Sequence, residues 1–134
     1  MTALALMTVL LLSACATGRL YIPYDLSPEE LVQRAQEASD RNRFGQAKQF
    51  YEALLERNSH NLVWVVTAEY EIAFINYRQR NLAEAREGLN TLLERYEAPG
   101  GAALPEKFRV LAHVVLARID ERESRPVRWW NRNR

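Results

Sequence analysis

From residue 27 to residue 123, apolar side chains return every three or four positions, the spacing of one helix face. In 44–57 they fall at Phe44, Ala47, Tyr51, Leu54 and Leu55, the steps i, i+3, i+7, i+10 and i+11. The same steps recur at Leu82, Ala85, Leu89, Leu92 and Leu93. The pattern predicts five helices, over about 28–41, 44–57, 62–79, 82–97 and 105–123. Ser27-Pro28-Glu29-Glu30 combines a capping hydroxyl, a proline suited to a first turn and a carboxylate placed to reach back. Asn81 with Glu84, and Pro105-Glu106 after Gly100-Gly101, mark two further starts, and Arg125-Pro126 ends the last helix. No run alternates apolar and polar residues long enough to make a strand. The fold class expected is all-α.

The pattern also repeats. At an offset of 38, Phe44-Gly45-Gln46-Ala47 overlies Leu82-Ala83-Glu84-Ala85, and Leu54-Leu55-Glu56-Arg57 overlies Leu92-Leu93-Glu94-Arg95. Upstream, Ala35 overlies Ala73. Ala47 and Ala85 are small where two antiparallel helices cross, and residue size there sets how closely the backbones approach. A helix pair cannot bury its apolar face alone, so neighbouring pairs must stack. Five helices make two and a half such repeats, a short solenoid. The third helix is apolar on nearly every side, through Trp64, Val65, Val66, Tyr70, Ile72, Ala73, Phe74, Ile75 and Tyr77. A helix of that kind is covered all round, which suits the middle of the stack.

A different pattern opens the chain. Residues 3–14 are almost wholly apolar, too short a run to span a membrane and suited to a secretory leader. Leu12-Ser13-Ala14-Cys15 follows, holding the single cysteine of the chain. These four residues resemble the lipobox of bacterial lipoproteins at every position. No Lys or Arg precedes the run, where that family has one. The alternative is a Cys15 buried in an N-terminal helix, which the absence of alternating polar residues opposes. The resemblance implies cleavage before Cys15, a covalent lipid on its thiol as the one non-protein group, and a membrane-anchored protein facing the periplasm. With Ala16 rather than Asp after the cysteine, it implies the outer membrane. The organisation expected is a leader over 1–14, a lipidated tether over 15–26, a helical domain over 27–123 and a basic tail over 124–134.

Composition narrows the chemistry. The chain has 134 residues, room for one domain, and a net charge of +1, so no overall field points to nucleic acid. One cysteine permits no internal disulfide. The two histidines, His60 and His113, have no metal-ligand spacing, and no nucleophile–base set or glycine-rich phosphate loop appears. A non-enzyme without a metal or a small-molecule substrate is expected. The tail is the one strongly biased segment: Arg125, Arg128, Arg132 and Arg134 flank Trp129-Trp130 with no acid. Arg128, Trp129, Trp130 and Arg132 suit an anionic membrane surface or an acidic partner. The plainer alternatives are an unordered tail or tryptophans packed back on the last helix.

Ile72-Ala73-Phe74-Ile75-Asn76-Tyr77 followed by Arg80-Asn81-Leu82-Ala83-Glu84-Ala85 resembles the core of a tetratricopeptide repeat. With the lipobox, and with Leu54-Leu55-Glu56-Arg57 and Leu92-Leu93-Glu94-Arg95-Tyr96 each closing a helix, residues 12–122 resemble the early half of BamD-like outer-membrane assembly lipoproteins. That resemblance implies a concave groove lined by the first helix of each repeat, taking extended protein segments. By position the groove would hold Val32, Gln36, Tyr70, Phe74, Tyr77, Arg109 and His113. It implies an adaptor for other envelope proteins, held to the membrane by its lipid. The rival reading is a structural subunit of a periplasmic, secretion or pilus machine, with the convex face and tail as permanent contacts. An enzyme accessory or cell-wall-binding lipoprotein ranks below both.

Overall fold

A computed structural model of the chain describes residues 18–125. Among these residues there are five α-helices and no strand: α1 (Pro28–Asp40), α2 (Phe44–Arg57), α3 (Leu62–Arg78), α4 (Leu82–Glu97) and α5 (Glu106–Ser124). A 3-10 turn at Gly101–Ala103 joins α4 to α5. The chain is all-helical, as its apolar spacing requires.

The helix ends follow from local chemistry. Ser27 and Glu30 close a capping box: the Glu30 N–H donates to Ser27 Oγ at 3.2 Å and the Ser27 N–H to Glu30 Oε2 at 2.8 Å. Asn61 caps α3 by accepting from the Val63 N–H at 3.1 Å. Asn81 was expected to cap α4 in the same way, but its side chain makes no such bond. Its backbone N–H instead reaches back to the Asn76 carbonyl at 2.9 Å, closing the turn that ends α3. The equivalent turn after α1 is closed by the Arg43 N–H and the Ala38 carbonyl at 2.8 Å.

Successive helices run antiparallel. Lys48 near the start of α2 donates to Asn76 Oδ1 near the end of α3 at 3.0 Å. Arg86 near the start of α4 reaches Asp120 and Glu123 near the end of α5 at 2.6 and 2.7 Å. It follows that α1, α3 and α5 share a direction, and Arg78 at the end of α3 meets Ser39 at the end of α1 at 2.8 Å.

Helix α3 divides the core. On one side Ala68 and Ile75 join Leu31, Ala35, Tyr51 and Leu54 of α1 and α2. On the other, Val66, Tyr70, Ala73 and Tyr77 join Leu89 and Leu92 of α4 and Phe108, Ala112 and Ile119 of α5. Fully burying one such large side chain stabilises the fold by about 1.5–3 kcal/mol. The offset of 38 is physical as well as textual. Ala35 and Ala73, Ala47 and Ala85, Tyr51 and Leu89, and Leu54 and Leu92 are buried pair by pair. The α3–α4 crossing is tight, for a Cβ added at Gly88 would lie 3.1 Å from the Ala73 Cβ.

Residues 18–26 form no helix but lie along α2. Leu20, Ile22 and Leu26 pack on the first core cluster. The Leu20 N–H donates to Gln49 Oε1 at 2.6 Å. The Arg57 guanidinium donates to the Pro23 and Ile22 carbonyls at 2.8 and 3.0 Å and lies 4.9 Å from the Tyr24 ring centre.

Candidate functional site

The face shared by α1, α3 and α5 carries the residues expected to bind a partner. On α1, Val32, Gln36 and Ser39 form one stripe at i, i+4 and i+7, and Ser39 looks toward α3 through its bond to Arg78. Val32 is half-buried against the core and Gln36 is exposed. On α3, Val63, Thr67, Glu71, Phe74 and Arg78 occupy the stripe between the two core faces. Val63 and Arg78 are exposed, and Thr67, Glu71 and Phe74 are half-buried.

Two expected groove residues belong elsewhere. Tyr70 and Tyr77 are buried members of the second core cluster, 6% and 7% exposed. Tyr70 sits 5.5 Å from Phe108 and 5.9 Å from Phe74 between ring centres. Burial pushes its phenol up to about 12, with Glu71 adding and Arg118 opposing. Residues 70 and 77 lie on the side of α3 that α5 covers, so their aromatic area serves packing. Phe74, one turn from each, remains at the edge, 6.1 Å from Tyr77.

The α5 residues need a second correction. Arg109 is held by Glu106 at 2.6 Å and feels Tyr96 and Glu97 of α4. It therefore faces α4, not α3, and His113 follows one turn later on the same exposed stripe. Because each residue turns a helix by about 100°, an error of two positions changes the face. The stripe turned toward α3 is Lys107, Leu111, Val114 and Arg118. Lys107 acts on Glu71 and Arg118 acts on Tyr70, both across the α3–α5 boundary. Leu111 and Val114 are 39% and 41% exposed. Only the register of Phe108, Ala112, Val115 and Ile119 against the core could have revealed this stripe in the sequence.

Glu71 is the acid of this face. Burial raises its carboxyl above the ordinary range, and the Lys107 and Arg78 cations oppose the rise. Lys107 and Arg118 bring cations to the α5 side of this face, while the Arg78 guanidinium is engaged by Ser39, Asn42 and the Phe44 ring at the end of α1. Among the described residues no group of three or more His, Cys, Asp or Glu side chains could hold a metal ion, and no helix is long and apolar enough to cross a membrane. Cys15 and the tail residues Arg128, Trp129, Trp130 and Arg132 lie outside the described residues.

No family model matches the chain, and no solved structure matches it. An uncharacterized protein of Treponema pallidum (strain Nichols) is 34% identical over 119 residues. That match takes in 87% of this chain and 48% of the other, so the chain spans about half the length of this relative.

The opposite side of the molecule carries a different surface. Leu55, Ile72, Ala73 and Gly88 floor a hollow of about 300 Å³ between α2 and α4, and Glu84 and Glu87 stand at its rim. Glu69 also lines it, but the Arg95 guanidinium holds that carboxylate in a two-bond fork at 2.6 Å each.

Proposed function

We propose that this protein is a non-catalytic adaptor of the bacterial envelope, of the tetratricopeptide-repeat, BamD-like type, held to the outer membrane by lipid on Cys15. It presents the α1–α3–α5 face to extended segments of other envelope proteins. The observation that carries this reading is the exposed stripe of α5. Leu111 and Val114 are exposed between Lys107 and Arg118 on the side of α5 turned toward α3. Apolar side chains give contact area, and guanidinium groups take carboxylates in a fixed fork. Such a face favours extended segments that mix apolar and acidic residues.

Titrating the protein with fluorescent peptides of alternating apolar and acidic residues tests the reading. Leu111→Ala and Arg118→Ala each remove an exposed group, so the fold should be unaffected. Each should weaken binding by about fivefold to thirtyfold, the effect of about 1–2 kcal/mol lost per anchor. Wild-type protein that binds no such peptide, or variants that bind as well as wild type, would sink it.

The hollow floored by Leu55 and Ile72 favours the second reading, a structural subunit of a larger envelope machine joined through its convex side. Thr91→Arg at that hollow would then dissociate the assembly, whereas an adaptor would be indifferent to it.

A further inference from the structure

Where α3 turns into α4, a concavity of about 460 Å³ is lined by Arg80, Leu82, Arg122 and Arg125, with no carboxylate in its lining. The acids nearby are already paired, one of them with an arginine of the hollow itself. Asp120 and Glu123 are held by Arg86 at 2.6 and 2.7 Å, and Glu121 by Arg125 at 2.6 Å. Among the described residues Arg80 and Arg122 have no ion-pair partner. Arg122 is steadied instead by the Tyr77 ring, 4.3 Å below its guanidinium carbon. Arg80 is thrust out of the turn by a left-handed backbone, φ 65°. Glu121 already offsets Arg125, so Arg80 and Arg122 are the two uncompensated guanidinium groups at the hollow, and an anion seated between them removes their mutual repulsion. Their planar forks fit phosphate oxygens.

The place of this hollow gives the source of the phosphate. Gly18, the first described residue, lines a neighbouring hollow with Asn42, Arg43 and Gln79. Gln79 adjoins Arg80, so the chain enters the domain at the end that carries the three arginines. Gly18 stands three positions after Cys15, a reach of about 10 Å for an extended chain.

We propose that Arg80, Arg122 and Arg125 form a phosphate-binding site for the headgroups of anionic phospholipids, which seats this end of the domain on the membrane surface. The orientation rests on the anchoring reading through Cys15; the site itself does not.

The test uses the full chain and vesicles of phosphatidylcholine with or without phosphatidylglycerol. The readout is the ratio of protein retained on the two after sedimentation. Arg80→Gln/Arg122→Gln should lower that ratio by about fivefold per arginine removed, since each cation near an anionic surface contributes about 1 kcal/mol. Arg34→Gln/Arg109→Gln, which removes two exposed cations that line no part of this hollow, should leave it unchanged. Equal loss in both variants would reduce the effect to overall charge and overturn the site. An unchanged ratio in the Arg80/Arg122 variant would overturn it as well. A third arm adds inorganic phosphate at millimolar concentration. If that abolishes the excess on phosphatidylglycerol at constant ionic strength, the hollow takes free phosphate in preference, and the membrane as source is wrong. Failure of the anchor at Cys15 is distinguishable, because it lowers retention on both vesicles and leaves their ratio alone.

Discussion

Asn42 and Arg80 adopt the same left-handed backbone, φ 56° and 65°, at equivalent points of two turns 38 residues apart. Each is the residue that lets the chain reverse after the first helix of a pair. Asparagine tolerates this conformation better than arginine, whose Cβ crowds its own carbonyl at a cost of about 1–2 kcal/mol.

Arg80→Gly should therefore stabilise the protein by about 1 kcal/mol, seen as a higher urea midpoint with an unchanged slope. Asn42→Gly should gain less, because Asn42 Oδ1 also accepts from Arg78 at 3.3 Å. A loss at Arg80 would show that the side chain contributes more in the turn than its backbone costs.

The apolar residues of α3 and α5 divide into core and surface, and stability measurements separate them. Tyr70→Ala should cost about 3–5 kcal/mol, since it empties a buried site between Phe74 and Phe108. Leu111→Ala should stay within about 0.5 kcal/mol, as an exposed position does. Urea denaturation of both variants checks the contrast.

Much of this architecture was legible in the sequence, because helices packed in pairs write their faces into the spacing of apolar residues. The helix bounds expected from that spacing lie within one residue of those found, and the small-residue crossings at Ala47 and Ala85 are buried. What spacing could not supply was direction around the last helix. A terminal helix lacks a neighbour on one side, so its second apolar stripe, with Leu111 and Val114, reads like core. Arg109 and His113, the groove positions that the repeat resemblance implies, lie on the stripe toward α4 instead. The lateral binding of residues 18–26 was legible in part: Leu20, Ile22 and Leu26 are apolar for a tether and pack on the core, whereas the hold of Arg57 and Gln49 on the backbone carries no signature in side-chain sequence.

Tyr51 offers a gain without a new contact. Its hydroxyl is buried and, among the described residues, has no hydrogen-bond partner. An unpaired buried polar atom costs about 1–3 kcal/mol. Tyr51→Phe should raise stability by an amount approaching that range, measured by thermal and urea unfolding. A destabilised variant would reveal a partner for the hydroxyl.

The same tyrosines fix the alkaline behaviour. Burial first, and then Glu71, raise the phenols of both Tyr51 and Tyr70, the latter to about 12. Between about pH 10 and about pH 12 the unfolded chain releases protons that the folded chain keeps. Their contribution is thus fully present below about pH 10 and is lost as the pH rises through the folded values. Urea midpoints should fall across that window, and less steeply in Tyr51→Phe.

Gly100 and Gly101 are both required, for different reasons. Gly100 has φ 89°, which favours glycine. At Gly101 a Cβ would run into the backbone carbonyl of Tyr96. Gly101→Ala should cost about 2 kcal/mol or more through a forced backbone shift. It should also loosen the Tyr96 hydroxyl from the Pro105 carbonyl, now at 2.8 Å. Ultraviolet difference spectra would report a more exposed Tyr96.

The clasp of Arg57 and Gln49 on residues 18–23 has a mechanical meaning. A pull applied at the leading end meets these side chains before it reaches Ser27, so the load passes sideways into α2. The cap that starts α1 is spared until the clasp has peeled away, bond by bond, from Gly18 toward Pro23.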